Sequence, residues 1–465
     1  MKQELPMPEA APPLAFYGGP FAALLPFLVF LTGVVGIALA GAPDERGFWP
    51  VLLLALSIGL LLARDRRAFS EAVIDGMAQP IVMIMITAWM LASIIGVLMT
   101  LTGLVEALTW AAAQLQLDGR GFVIASFIIC CIVSLSTGSS FATILIAGPV
   151  LYPAGGLLGA HLPALAGAVI GGATFGDFSA PISDTTIASA LSQKAAIGPT
   201  VRSRLQYILP AVGIALIGYW WSAGAEGAPP QDGAALGGDP RGLPMLVVPV
   251  FIIILFLQGK HLLHGLLLGL LAGVVLGLSL GLLAWEDLLS LDLDNLTARS
   301  FVIDGINRAV GISFFTILLM GLVAALQASG LIERLVRFAE SRSRTPRHAE
   351  AWIAGTVGAA VLLTTHSIVA ILMVAEFANQ TGERMGISPK RRANILSLVV
   401  CVFPFLLPYF IPVILMANTT ASGEAYGIPA VAPLQAGLYN FLAWALGGMA
   451  LLAVLLGYGR EREEG

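Results

Sequence analysis

The chain has 465 residues, 57% of them hydrophobic and 11% charged, against about 25% charged in an average soluble domain. That composition argues against a soluble enzyme or a nucleic-acid-binding protein, and the absence of a GxxxxGK phosphate loop argues against an ATP-driven pump. The net charge of −4 decides nothing, and Cys130, Cys131 and Cys401 all fall in apolar segments, so no disulfide framework, zinc site or cofactor is expected.

Runs of about 20 apolar residues recur along the chain, as a polytopic membrane protein requires. Residues 1–20 read as a Pro-rich cytoplasmic lead, and Ala38-Leu39-Ala40 imitates a cleavage site behind a poor signal-peptide start. Spans are expected at 21–41, 48–63 and 79–101, followed by an amphipathic stretch at 101–116. Residues 121–150 are apolar but interrupted by Ser134, Ser136, Thr137, Gly138, Ser139 and Ser140. A broken span at 163–192 and a span at 206–221 complete the first half, and a Gly/Pro/Ala linker (222–242) follows. The second half begins with spans at 243–258, 262–284 and 307–327, the last two separated by a loop holding Asp287, Asp292 and Asp294. An Arg-rich segment (328–347) suits the surface of an anionic lipid layer. Residues 351–378 are interrupted by Thr364, Thr365, His366, Ser367 and Glu376, and 393–420 by Pro404, Pro408, Pro412 and Asn418-Thr419-Thr420. A last span covers 435–457.

The densest polar stretch is Gly171–Thr186, GGATFGDFSAPISDTT, which puts Asp177 and Asp184 among hydroxyls inside a segment otherwise fit for hydrocarbon. Unpaired polar groups are costly there, so a carboxylate in a span is a functional-site hypothesis by default. Gly176 and Pro181 are expected to break the helix, with Asp177 at the end of the first half-helix and Asp184 in the first turn of the second. Carbonyls left bare by a break, with carboxylate and hydroxyl oxygens, suit a hard cation such as Na⁺. Asp177, Asp184, Ser183, Thr185, Thr186, Thr137 and Ser139 are therefore the candidate ion and proton ligands, with Asp177 favoured over Asp184 as carrier. Thr365, His366, Ser367, Asn418 and Thr419 are the candidate second-half contributors. His366 reads either as a proton relay or as a neutral imidazole bonded to Thr365 or Ser367, and Asp75 and Asp304 as helix caps.

The halves 1–221 and 243–465 resemble each other. Val73–Gly76 answers Val302–Gly305, Thr102–Glu106 answers Ser329–Glu333, and Ser136–Ser139 answers Thr364–Ser367, at offsets of 229, 227 and 228. Charge counting then chooses the topology. If 121–150 and 351–378 are re-entrant hairpins, ten spans remain, both termini are cytoplasmic, and 19 of the 24 basic residues lie inside. If both cross fully, only 13 lie inside. Five spans per half invert the second repeat, so one hairpin enters from each side and the tips can meet the two broken helices.

Gly176–Thr186, GDFSAPISDTT, resembles the signature of the NhaC-type sodium/proton antiporter family, and Ser136–Phe141 looks like that family's TGTSW segment. The sequence departs from the pattern at Phe178, Ala180 and Phe141, and at Pro408-Tyr409-Phe410, where a Pro-Trp-Asn stretch is usual. The resemblance implies the inverted-repeat, hairpin-bearing fold of the ion transporter superfamily in the bacterial inner membrane. It also implies a secondary transporter exchanging Na⁺ for H⁺. The alternative is a Na⁺- or H⁺-coupled carrier of a small organic acid or amino acid, for which Phe178, Ala180, Tyr409 and Phe410 would shape the solute pocket. Expected partners are Na⁺, H⁺ and membrane lipid, with an organic solute and a homodimeric partner also considered.

Overall fold

The structure is a computed structural model that describes residues 13–40, 45–223, 239–258, 260–292 and 297–460. Most of the N-terminal lead and of the 222–242 linker, and Asp294, lie outside the described residues. The fold is that of an all-α polytopic membrane protein. Its first half comprises α1 (Leu24–Leu39), α2 (Phe48–Leu62), α3 (Arg66–Met77), α4 (Pro80–Leu101), α5 (Leu104–Gln114), α6 (Gly119–Thr137), α7 (Ser140–Leu157), α8 (Leu162–Ser179), α9 (Asp184–Ser192) and α10 (Ile197–Ser222). Next come α11 (Val247–Leu257), α12 (Leu262–Ser279) and α13 (Trp285–Leu288), and a two-stranded antiparallel ribbon, β1 (Ser290–Asp292) with β2 (Thr297–Arg299). Then follow α14 (Phe301–Ala328), α15 (Leu331–Arg342), α16 (Pro346–Thr364), α17 (Ser367–Arg384), α18 (Pro389–Val400), α19 (Ile411–Thr419), α20 (Pro433–Leu438) and α21 (Phe441–Leu456).

Seven of these segments among the described residues are long and apolar enough to cross a membrane, α8 and α9 counting together. α8, α18 and α19 are buried almost throughout. α2, α12 and α21 leave apolar side chains such as Leu54, Leu267 and Leu455 exposed, as lipid-facing helices do. Side-chain caps start several inner helices: Asp118 accepts from the Gly121 amide, Ser139 from Ala142, Thr345 from His348 and Ser388 from Arg391. Neither Asp75 nor Asp304 is a cap. Asp75 lies in the last turn of α3, whose N-cap is Asp65, and Ser300 caps α14.

α6 and α7 form a hairpin whose feet meet: a Cβ on Gly119 would lie 2.6 Å from the Ala160 amide nitrogen. α16 and α17 form another, with Arg384 at the end of α17 bonded to Glu340 before the start of α16 (3.1 Å). α8 starts beside the first pair of feet, and just beyond α9 Lys194 pairs with Glu383 beside the second (3.3 Å). The two hairpins therefore enter from opposite ends. The backbone matches between halves. Gly103 and Gly330 precede α5 and α15 at φ 75°, ψ 19° and φ 69°, ψ 20°. Gly138 and Thr365 end α6 and α16 at φ 65°, ψ 14° and φ 53°, ψ 13°. Ser139 and His366 follow at φ −136°, ψ 117° and φ −135°, ψ 116°. These pairs all stand 227 positions apart, so matching Ser136–Ser139 with Thr364–Ser367 is one residue out of register with the backbone.

A buried ion cluster ties the base of the second hairpin to the chain's end. Glu350 of α16, with no exposed surface, accepts from Arg391 of α18 (3.1 and 3.2 Å) and from Arg460 beyond α21 (3.1 and 2.6 Å). Arg391 also donates to the Tyr207 hydroxyl (2.8 Å) and the Tyr458 carbonyl (2.6 Å). Both carboxylate oxygens are thus fully paired, as a buried charge requires.

Candidate functional site

The break between α8 and α9 spans Ala180–Ser183, and Pro181 explains its chemistry. The Asp177 carbonyl would bond to the amide of residue 181, but proline has none. Two hydroxyls take that place: Thr185 donates to the Asp177 carbonyl at 2.6 Å and Ser183 at 3.0 Å. Gly176 is not part of the break. It lies inside α8, where α6 comes so close that a Cβ would sit 2.3 Å from the Ser134 carbonyl oxygen, the close approach that small residues permit between membrane helices. Asp177 consequently stands in the last turn of α8, which runs on to Ser179.

The half-buried Asp177 carboxylate faces the start of α7. Ser140 donates its amide to Oδ1 (3.0 Å) and its hydroxyl to Oδ2 (2.6 Å). A helix N-terminus holding a carboxylate is favourable in both hydrogen bonding and dipole. In the second half Ser367, the backbone counterpart of Ser140, donates instead to the Val400 carbonyl at the end of α18 (3.1 Å). The acid is therefore present on one side only.

Both tips and both breaks border one cavity of about 70 Å³, room for an ion and one or two waters. It brings together Asp177, Asp184, Ser183, Thr185 and Ser139 with Thr365, His366 and Ser367. Asp184 opens α9 on the exposed side of this cavity. Thr137, Thr186, Asn418 and Thr419 do not line it. Thr137 bonds within its own hairpin turn, to the Ser139 amide at 3.3 Å, and Asn418 and Thr419 line a different cavity. The His366 Nδ1 is buried with no hydrogen-bond partner. The hydrogen bonds expected for it from Thr365 or Ser367 are not made among the described residues: Thr365 donates to the Thr364 carbonyl and Ser367 to Val400. Thr365 holds a left-handed backbone without glycine's freedom, which costs about 1–2 kcal/mol. Glu376 is exposed and paired with Gln380.

Phe178, Ala180, Tyr409 and Phe410 do not face this cavity. Tyr409 donates to the Leu362 carbonyl (3.2 Å) and packs on Phe27, Phe30 and Phe410. Phe141 and Phe405 are the aromatic side chains on the wall. Among the described residues no three or more His, Cys, Asp or Glu side chains cluster as a metal site. A cation here would be held by one or two carboxylates and neutral oxygens.

Sequence reading also missed Arg204, counting it as a loop charge. It is fully buried on α10. Nη1 donates to the Phe178 carbonyl and to Thr186 Oγ1 (both 2.7 Å), Nη2 to Ser189 (2.9 Å) and Nε to Asn394 of α18 (3.2 Å). One guanidinium thus closes the end of α8, the start of α9 and a link to the other broken helix, and it stacks 5.2 Å over the Phe178 ring. Its signal was available: Thr186 and Ser189 are three apart on a helix, a ready acceptor pair.

A helical membrane protein with two opposed hairpins and two broken helices around an internal carboxylate is the class these observations define. The chain belongs to the Na⁺/H⁺ antiporter family, whose model matches residues 21–223 and 242–400. Its curated relatives include a "Malate-2H(+)/Na(+)-lactate antiporter" of Bacillus subtilis, 30% identical over 43% of this chain and 40% of the relative. They also include the "Na(+)/H(+) antiporter NhaC" of Alkalihalophilus pseudofirmus, 36% identical over 29% of each chain. A protein of the same name in Bacillus subtilis is 29% identical over 33% of this chain and 34% of the relative. The chain thus spans less than half the length of each of the three.

Proposed function

We propose that this chain is a secondary transporter that exchanges Na⁺ for H⁺ by alternating access, with Asp177 holding each ion in turn. The observation that carries the reading is the shared cavity, in which the Asp177 carboxylate meets hydroxyl-bearing residues of both halves. Proton loading neutralises Asp177. Na⁺ loading replaces the proton with a cation held by the carboxylate and neighbouring oxygens. Asp184, at the open side, is the next carboxylate an ion meets. Residues 1–221 and 243–465 act as inverted repeats joined by the 222–242 linker, with both termini cytoplasmic in the bacterial inner membrane. The opposed hairpins and the matched tip dihedrals support the inverted repeat, and the charge count the placement of the termini. In proteoliposomes free of organic solute, an imposed Na⁺ gradient should move internal pH. A strict requirement for solute would overturn the reading. The second reading, a coupled carrier of a small organic acid, is favoured by the relative named for malate and lactate.

A further inference from the structure

A second polar cavity, of about 30 Å³, lies apart from the one around Asp177, lined by Trp89, Ser93, Arg308, Asn418, Thr419 and Ser422. Arg308 also borders an open crevice of about 610 Å³ between α14, the end of α4 and the β1–β2 ribbon. The hydrogen bonds of the small cavity are unevenly spent. Thr419 donates to the Met416 carbonyl (2.7 Å), Ser422 to the Thr419 carbonyl (2.8 Å) and Asn418 to the Arg308 carbonyl (3.2 Å). Among the described residues, the Arg308 guanidinium, the Trp89 indole N–H and the Ser93 hydroxyl make no hydrogen bond or ion pair. Trp89 is only 2% exposed. Asp304 stands one turn before Arg308, the spacing at which such a pair usually meets, yet no contact within 4.0 Å forms.

Ser93 and Arg308 are partly buried, and donors that face a narrow cavity without an acceptor are free to hydrogen-bond a ligand there. Three unspent donors and no carboxylate on the cavity wall select an anion and reject a cation. The planar fork of arginine matches the two oxygens of a carboxylate. A cavity of this size takes the carboxylate head, and the crevice leaves space for an organic remainder. At the crevice Arg299 offsets only part of the charge of Glu286, Asp287 and Asp304, so the position that favours an anion is the inner one. We propose that Arg308, with Trp89 and Ser93, binds the carboxylate of a small organic solute. This extends the reading of the chain as a secondary transporter but does not require Asp177 to exchange ions.

The test is thermal unfolding of the purified protein in nanodiscs, titrated with acetate, lactate or succinate against chloride at constant ionic strength. At least one carboxylate should raise Tm saturably while chloride does not. Arg308→Gln should raise the half-saturating concentration about tenfold or more, the loss of a charged hydrogen-bond donor. Trp89→Phe should raise it several-fold and carries the test if Arg308→Gln does not fold. No saturable response, the same response to chloride, or an unaltered response in both Arg308→Gln and Trp89→Phe would overturn the proposal. The titration uses no gradient, so failure here leaves Na⁺/H⁺ exchange at Asp177 standing, and loss of exchange leaves this site standing.

Discussion

Asp177 is held by a hydroxyl and an amide from one residue, and the two are separable. Ser140→Ala keeps the amide bond of 3.0 Å and removes the hydroxyl bond of 2.6 Å. A hydrogen bond to a charged group contributes about 1.5–3 kcal/mol. The hydroxyl favours the ionised carboxylate, so without it H⁺ competes better and more Na⁺ is needed. The expected outcome is a half-saturating Na⁺ concentration about tenfold higher, or more, at fixed pH, with maximal flux retained. An unchanged Na⁺ dependence would separate Ser140 from the ion. Asp177 and Asp184 were legible because carboxylates stand out in an apolar run. Ser140 was less so, since the group that matters is partly its backbone amide, which every residue carries. Arg204 was hidden by its place between two spans, where basic residues are usually solvent-facing. The burial of Arg391 and Arg392, each only 2% exposed, was hidden for the same reason.

Hairpins and breaks were readable as elements, because clustered serine, threonine and proline interrupt long apolar runs. Their joints were not. The turn of α8 lies at Pro181 rather than Gly176, since glycine there answers a neighbouring helix that sequence does not display. The Glu350 cluster draws on α16, α18 and a residue beyond α21, and no local pattern joins them. Its removal has a definite cost. Glu350→Gln leaves Arg391 buried without its counter-charge, a change that destabilises by about 3–5 kcal/mol. The Tm in detergent should fall by several degrees. An unchanged Tm would show that the tail and the second hairpin are not clamped through this group.

The arrangement of the whole molecule in the membrane rests on charge counting together with the opposed hairpins. Leu115, beyond α5, is 71% exposed, and the Lys194 side chain, beyond α9, is 68% exposed. They lie toward opposite ends of the helix pair α8–α9. In a background without Cys130, Cys131 and Cys401, Leu115→Cys should react with an impermeant thiol reagent from outside and Lys194→Cys from inside. Labelling of both from one face would overturn the proposed topology.

The central claim is that one carboxylate carries both ions, and Na⁺-dependent proton flux in proteoliposomes at matched protein levels tests it. Asparagine at position 177 still accepts from Ser140, so the fold should survive, but an amide neither releases a proton nor neutralises Na⁺. Asp177→Asn should abolish coupled flux. Asp184→Asn, in the first turn of α9, should be milder because asparagine is tolerated at helix starts about as well as aspartate. Normal flux in Asp177→Asn would contradict the account.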